Sequence, residues 1–163
     1  MYLKTLSALT VTFLSLLFVV MAHFMPGSTM LTASTDDSDL KCLAQAVYFE
    51  ARGEPYSGQI AVAQVVYNRV VKRNKSYCDV VFEGSSRKHA CQFSFACDGK
   101  SDTAVEKQAW LQAMQIARLV KDGNLRDLSD SATFYHATYV SPTWSKKFAQ
   151  TAAIGNHVFY RKM

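Results

Sequence analysis

No C-x-x-C and no H-x-x-x-H pair occurs among the four cysteines and four histidines of this chain. Structural zinc sites are built from closely spaced ligands of those kinds. A zinc centre here would have to recruit His89, His136 or His157 from separate segments, so neither a metal nor another cofactor is expected. Internal repeats are absent too. No recognisable nucleic-acid motif accompanies the net charge of +5, which is scattered over Arg69, Lys72, Arg73, Lys75, Arg87, Lys88, Lys146, Lys147, Arg161 and Lys162. Dispersed basicity of this kind suits solubility and adsorption to an anionic polymer or surface, and nucleic acid is not an expected partner. Charge is missing altogether from Thr5 to Ala22, a run rich in Leu, Val and Phe behind Lys4.

That uncharged run makes residues 1–25 an export signal or a membrane anchor, in contact with the membrane or the export machinery. Val20-Met21-Ala22 offers a small-residue cleavage site and Thr32-Ala33-Ser34 a weaker one. Lys4 on the N-terminal side predicts that the chain beyond residue 25 is delivered across the membrane, into the cell envelope. Residues 26–37 read as a linker, and residues 38–163 as one domain, long enough to bury a core. An even number of cysteines in an exported chain favours two disulfides. Of the three connectivities available to Cys42, Cys78, Cys91 and Cys97, the favoured one joins Cys91 to Cys97 across a short loop and Cys42 to Cys78 as a helix-to-loop staple.

Periodicity predicts a first helix from about Ser38 to Arg52, with Leu40, Leu43, Ala44, Val47 and Ala51 on its buried face and Gly53 beyond its end. A second, from Pro55 or Tyr56 to about Lys72, is apolar nearly all round and reads as the central buried helix. Asp79–Phe82 predicts a short helical turn. A third long helix is expected to start with Asp102 as its N-cap, to bury Val105, Ala109, Ala113, Ile116, Ala117 and Val120, and to end at Gly123. Ala132–Tyr139 is β-prone, Ser141–Phe148 holds a short helix after Pro142, and Gly155-Asn156 marks a hairpin turn between Thr151–Ile154 and His157–Tyr160. The expected fold class is α+β, a mainly helical domain with a small C-terminal β-hairpin or sheet.

Glu50 is the residue this pattern does not absorb. It closes an apolar helical run beside Tyr48, Phe49 and Ala51, where the negative end of the helix dipole and an apolar setting both disfavour an ionised carboxylate. A general acid needs that environment to keep its proton near neutral pH. A solvated Glu on the polar side of the helix end accounts for the pattern equally well.

Five ordered blocks carry a resemblance: Tyr48-Phe49-Glu50-Ala51-Arg52-Gly53-Glu54, the run Gln59–Val70, Cys91-Gln92-Phe93-Ser94-Phe95, Tyr135-His136-Ala137, and Ile154–Arg161. The chain resembles the SleB-like cell-wall hydrolases, the family of the spore-cortex-lytic enzyme, over about residues 40–161. The resemblance implies a lysozyme-like fold acting on peptidoglycan glycan strands, with Glu50 as catalytic acid, as in lytic transglycosylases. By the same analogy Glu54, Tyr135, Asn156 and His157 lie near the cleft.

A hydrolytic glycosidase uses two carboxylates, and a hydrolytic muramidase or glucosaminidase would draw its second from Glu54, Asp98 or Asp130. Glu54 could equally cap the second helix, and Asp98 before Gly99 reads as a turn residue. Arg52 is expected in a salt bridge with Glu54 or Glu50, or on substrate. Gln92 and Ser94 suit sugar hydroxyls. Tyr135 and His136 alternate across a strand, so one faces the cleft. Trp110 reads as core, and Trp144 as a cleft-edge aromatic able to stack on a sugar. An N-acetylmuramoyl-L-alanine amidase would need a different nucleophile, such as Cys91 with His136 or His157. The protein is expected to act as a monomer.

Overall fold

The computed structural model describes residues 30–87 and 90–163. The segment read as signal or anchor, residues 26–29 of the linker reading, Lys88 and His89 fall outside them. Helix α1 spans Met30–Ala51. It therefore begins inside the stretch read as linker, well before Ser38. Residues Thr35–Met163 form one unit, which holds the rest of the described elements. Among the described residues no helix is long and apolar enough to cross a membrane.

Helix α2 (Tyr56–Arg73) is the centre of the unit, with Gly58 to Val66 and Arg69 buried. It ends at Asn74 in the left-handed conformation, whose N–H bonds Val70 O. Helix α3 (Tyr77–Val81) starts from Ser76, whose side chain accepts the Asp79 N–H. A 3-10 turn (Ser94–Cys97) precedes α4 (Lys107–Lys121), and a second (Thr143–Lys147) follows β1 (Phe134–Ala137). Strands β2 (Ala149–Ile154) and β3 (His157–Arg161) complete an antiparallel sheet of order β1-β3-β2. Tyr135 pairs with Phe159, and Ala137 and Ile154 both pair with His157.

Two apolar clusters organise these elements. The larger joins Leu43, Ala46, Val47 and Tyr48 of α1 to Ile60, Ala63 and Val66 of α2, Val80 and Val81 of α3, and Ala113, Ile116, Ala117 and Val120 of α4. Trp110 packs against it, partly buried. The smaller sets Ala61, Val62 and Val65 of α2 against Phe159, so that one helix serves both the helical core and the sheet. Disulfides join Cys42 to Cys78 and Cys91 to Cys97, with Cα atoms 5.1 and 6.0 Å apart.

Helix α4 starts later than its sequence suggests. The Tyr48 hydroxyl on α1 accepts from Val105 N (3.2 Å) and Glu106 N (3.1 Å), holding the two residues before Lys107 in place. Asp102 does not cap the helix; its carbonyl accepts from Gln45 Nε2 at 3.2 Å. Val105 consequently lies outside the helix and is 83% exposed. At the other end Gly123 takes a φ of 70°, and Asn124 N–H reaches back to Leu119 O, the arrangement that glycine permits after a helix.

The polar residues of α2 fix the approach to β1. Gln64 donates to Arg126 O (2.8 Å) and accepts from Leu128 N (2.7 Å). Asn68 Nδ2 donates to Ala132 O (3.0 Å), and Arg69 Nε donates to Thr133 O (2.7 Å). Asp127 closes the loop by accepting from Ser129 N and Ser131 N at 2.9 and 2.7 Å. Three side chains of one helix thus hold residues 126–133, which deliver Tyr135 to the end of α1.

Candidate active site

Glu50 lies in the last turn of α1, where the chain turns away through an Ala51 O bond to Glu54 N of 2.9 Å. Its Oε2 accepts a hydrogen bond from the Tyr135 hydroxyl at 3.0 Å. Burial pushes the Glu50 carboxyl above its ordinary range, while the Tyr135 donor and the positive charge of Arg69 pull it partly back. Burial also pushes Tyr135 well above the usual phenol range, reinforced by the neighbouring Glu50 carboxylate, so this hydroxyl keeps its proton and remains a donor.

Glu50 and Ser94 are shared by two cavities. One, of about 430 Å³, is lined by Arg69, Gln92, Phe93, Phe134, Tyr135 and Trp144. The other, of about 300 Å³, is lined by Phe49, Arg52, Phe95, Asp98, Lys100 and Asp102. A carboxyl group at the junction of two such spaces can meet a bond whose two sides occupy both. Gln92, Phe93 and Ser94 reach the site because the Cys91–Cys97 loop carries them, and Gln92 N is tied to Glu83 O at 2.8 Å.

Tyr135 and His136 point to opposite sides of β1. Tyr135 shares its face with His157 and Phe159, at ring separations of 5.1 and 5.9 Å. His136 stacks on Tyr160 and lies 5.6 Å from Trp144. Its Nδ1 is 2.9 Å from Ala137 O, which requires a proton there, so a neutral ring accepts the Tyr160 hydroxyl at Nε2 (3.0 Å). Trp144 lines the larger cavity beside Phe134, 5.7 Å away.

Glu54, Asn156 and His157 form a separate cluster that lines neither cavity. Glu54 accepts the Asn156 backbone N–H at 2.7 Å and its Nδ2 at 3.2 Å. Both of its carboxylate oxygens are thus engaged by Asn156 rather than by the first N–H groups of α2. His157 is buried, its Nδ1 3.9 Å from Glu54, and burial lowers its pKa, opposed by the Glu54 charge and helped by His136. The cluster meets the site at the His157–Tyr135 ring contact. Arg52 pairs with Glu106 (3.1 Å) and lies over the Tyr48 ring, and bonds neither Glu50 nor Glu54. Asp98 closes a turn by accepting Lys100 N at 2.9 Å. Asp130 sits in a left-handed turn before β1 and lines neither cavity. Cys91 is bonded to Cys97, which leaves it no thiol for nucleophilic chemistry.

Arg69 is a site residue that the sequence disguises as one of the dispersed surface cations. The structure buries it to 4% exposure, with its guanidinium 5.3 Å from the Phe93 ring centre and lining the larger cavity. Its spacing holds the clue: it falls four residues after Val65 and three after Val66, on the buried stripe of α2.

A helical core, a three-stranded sheet and a half-buried carboxyl at a helix end make this a lysozyme-like α+β domain. The family model described as Cell Wall Hydrolase matches residues 53–160, and the chain belongs to that family. The match begins just after Glu50. The chain is 34% identical over 138 residues to the spore cortex-lytic enzyme of Halalkalibacterium halodurans, covering 81% of this chain and 37% of that protein. It is 37% identical over 129 residues to the spore cortex-lytic enzyme of Bacillus subtilis, covering 76% of this chain and again 37% of the relative. The chain thus spans well under half the length of these relatives. Among solved structures, it resembles the catalytic domain of the germination-specific lytic transglycosylase SleB from Bacillus anthracis, with a TM-score of 0.59 and 27% identity over 84% of this chain and 99% of that one. The catalytic domain of the Bacillus cereus SleB protein gives a TM-score of 0.56 at 28% identity, over 77% and 91% of the two chains.

Proposed function

We propose that this protein is a peptidoglycan-degrading glycosidase, a lytic transglycosylase that cleaves the MurNAc–GlcNAc strand with Glu50 as both acid and base. The observation that carries the reading is the half-buried Glu50 carboxyl at the junction of two cavities, its pKa raised by burial and its orientation set by the Tyr135 hydroxyl. Glu50 gives its proton to the glycosidic oxygen as the C1–O bond breaks. The resulting carboxylate takes the proton of the muramoyl 6-hydroxyl while O6 bonds to C1, leaving a 1,6-anhydro end. The nucleophile is tethered to the sugar it attacks, an entropic advantage that water lacks. One carboxylate suffices for this cycle.

Gln92, Ser94 and Trp144 contact sugar in this reading, and Tyr135 fixes the Glu50 rotamer. Glu54, Asn156 and His157 act from behind Tyr135, by holding the hairpin against it. The disulfides and the N-terminal apolar run support an exported, envelope-facing setting, with residues 1–25 as signal or anchor. A hydrolytic muramidase or glucosaminidase is the second reading, favoured by one observation: Asp98 and Asp102 line the same cavity as Glu50 and could activate a water.

The test is digestion of purified peptidoglycan by the full chain, beside Glu50→Gln, with fragments analysed by mass spectrometry. Anhydro-muramoyl ends that fall by about 10²–10⁴-fold in the variant are expected. Reducing ends would favour hydrolysis, and undiminished activity in Glu50→Gln would overturn the assignment.

A further inference from the structure

Arg69 is a buried cation without a buried anion. Its Nε is committed to Thr133 O at 2.7 Å, its Nη1 has no hydrogen-bond partner, and among the described residues no ion pair joins it to a carboxylate. Removing a charge from water is costly unless it is paired, and a neutral side chain could anchor Thr133 without that penalty. Burial lowers Arg69 only to about 10, so the charge persists at neutral pH. Its guanidinium lines the cavity that Glu50 and Tyr135 also line.

We propose, resting on the reading of Glu50 as acid and base, that Arg69 is a positioning residue of the reaction, a fixed positive charge that stabilises the Glu50 carboxylate between giving up its proton and recovering one. As Glu50 protonates the departing oxygen and the C1–O bond breaks, negative charge appears on the carboxyl. Tyr135 donates one hydrogen bond to it, and Arg69 supplies a field in a poorly screened interior. When O6 bonds to C1 and its proton passes to Glu50, the charge disappears again. Preorganised charge of this kind acts on the ionised state and needs no rearrangement during the step.

Among the described residues, the charged and titratable groups facing Glu50 are few. Tyr135 comes from β1 and Arg69 from α2. Arg52, just beyond the end of α1, is engaged by Glu106, and Asp98, Lys100 and Asp102 come from the loop across the smaller cavity. Arg69 is the one cation among them held in place by both a hydrogen bond to the backbone before β1 and the Phe93 ring face.

The test compares the full chain with Arg69→Met and Arg69→Lys, by carbon-13 NMR titration of the Glu50 carboxyl and by the pH profile of anhydro-product formation. In Arg69→Met the Glu50 midpoint should rise by about one pH unit. The alkaline limb, which marks loss of the Glu50 proton, should follow it upward while the maximal rate falls about tenfold, the equivalent of one unit. Arg69→Lys should restore most of both. A purely structural role for Arg69 would lower the rate at every pH and leave midpoint and limb in place, which overturns the proposal. A midpoint that moves without the limb would instead overturn the assignment of Glu50 as acid, and this proposal with it. If Arg69→Met is not recovered folded, Arg69→Gln keeps a donor for Thr133 O without the charge and is read by the same two criteria.

Discussion

The chemistry of the site depends on what surrounds one carboxyl. Glu50 could be singled out from the sequence because it interrupts an apolar helical run, but whether it was solvated depended on Tyr135, 85 residues away, and on Arg69. Its raised pKa also sets a stability consequence. A carboxyl that holds its proton more tightly in the folded state than in the unfolded chain destabilises the fold as pH rises through that interval. Glu50→Gln keeps an acceptor for Tyr135 and removes the partly desolvated charge. At pH 8 it should raise Tm by about 2–4 °C over the parent chain. The gain should vanish below about pH 4, where both folded and unfolded Glu are protonated. Calorimetry at the two pH values measures it. Arg69 shows the reverse case of legibility: its letter is the same as that of a surface cation, and only its place on the α2 stripe hinted at burial.

Among the elements, the hairpin was readable because turn chemistry is local. Gly155 has a φ of 57°, which glycine adopts without strain. Its second requirement was not readable: a Cβ at this position would collide with Glu54 Oε2, the atom that accepts the Asn156 N–H. Gly155→Ala should therefore lose both an unstrained turn and the Glu54 clasp, destabilising by about 2–4 kcal/mol in urea unfolding. Gly53→Ala, with nothing within 4 Å of its Cβ position, should stay within about 0.5 kcal/mol. The misplaced start of α4 has the same origin as the unseen clasp. Asp102 is a good local cap, but the hydroxyl of Tyr48 on another helix takes the N–H groups of Val105 and Glu106 instead.

For the molecule as a whole, the two disulfides divide their work. Closing the 36-residue separation between Cys42 and Cys78 restricts the unfolded chain more than closing the 6-residue one between Cys91 and Cys97. Chain entropy gives about 4 and about 2 kcal/mol respectively. Yet the short loop carries Gln92, Phe93 and Ser94 into the larger cavity. Replacing Cys42 and Cys78 by Ser should cause the larger fall in urea midpoint. Replacing Cys91 and Cys97 by Ser should cause the larger fall in peptidoglycan turnover by protein that is still folded. Measuring both quantities on both double variants separates the two roles. Sequence by itself determined the α+β class, the succession of elements and the suspect carboxyl, because helical periodicity, β alternation and turn residues act over a few neighbours. Tertiary structure alone decided that Glu50 is half-buried and met by Tyr135, that Arg69 lines the same cavity, and that Glu54 clasps a turn. Burial, charge proximity and long-range hydrogen bonds are properties of residues brought together from distant parts of the chain.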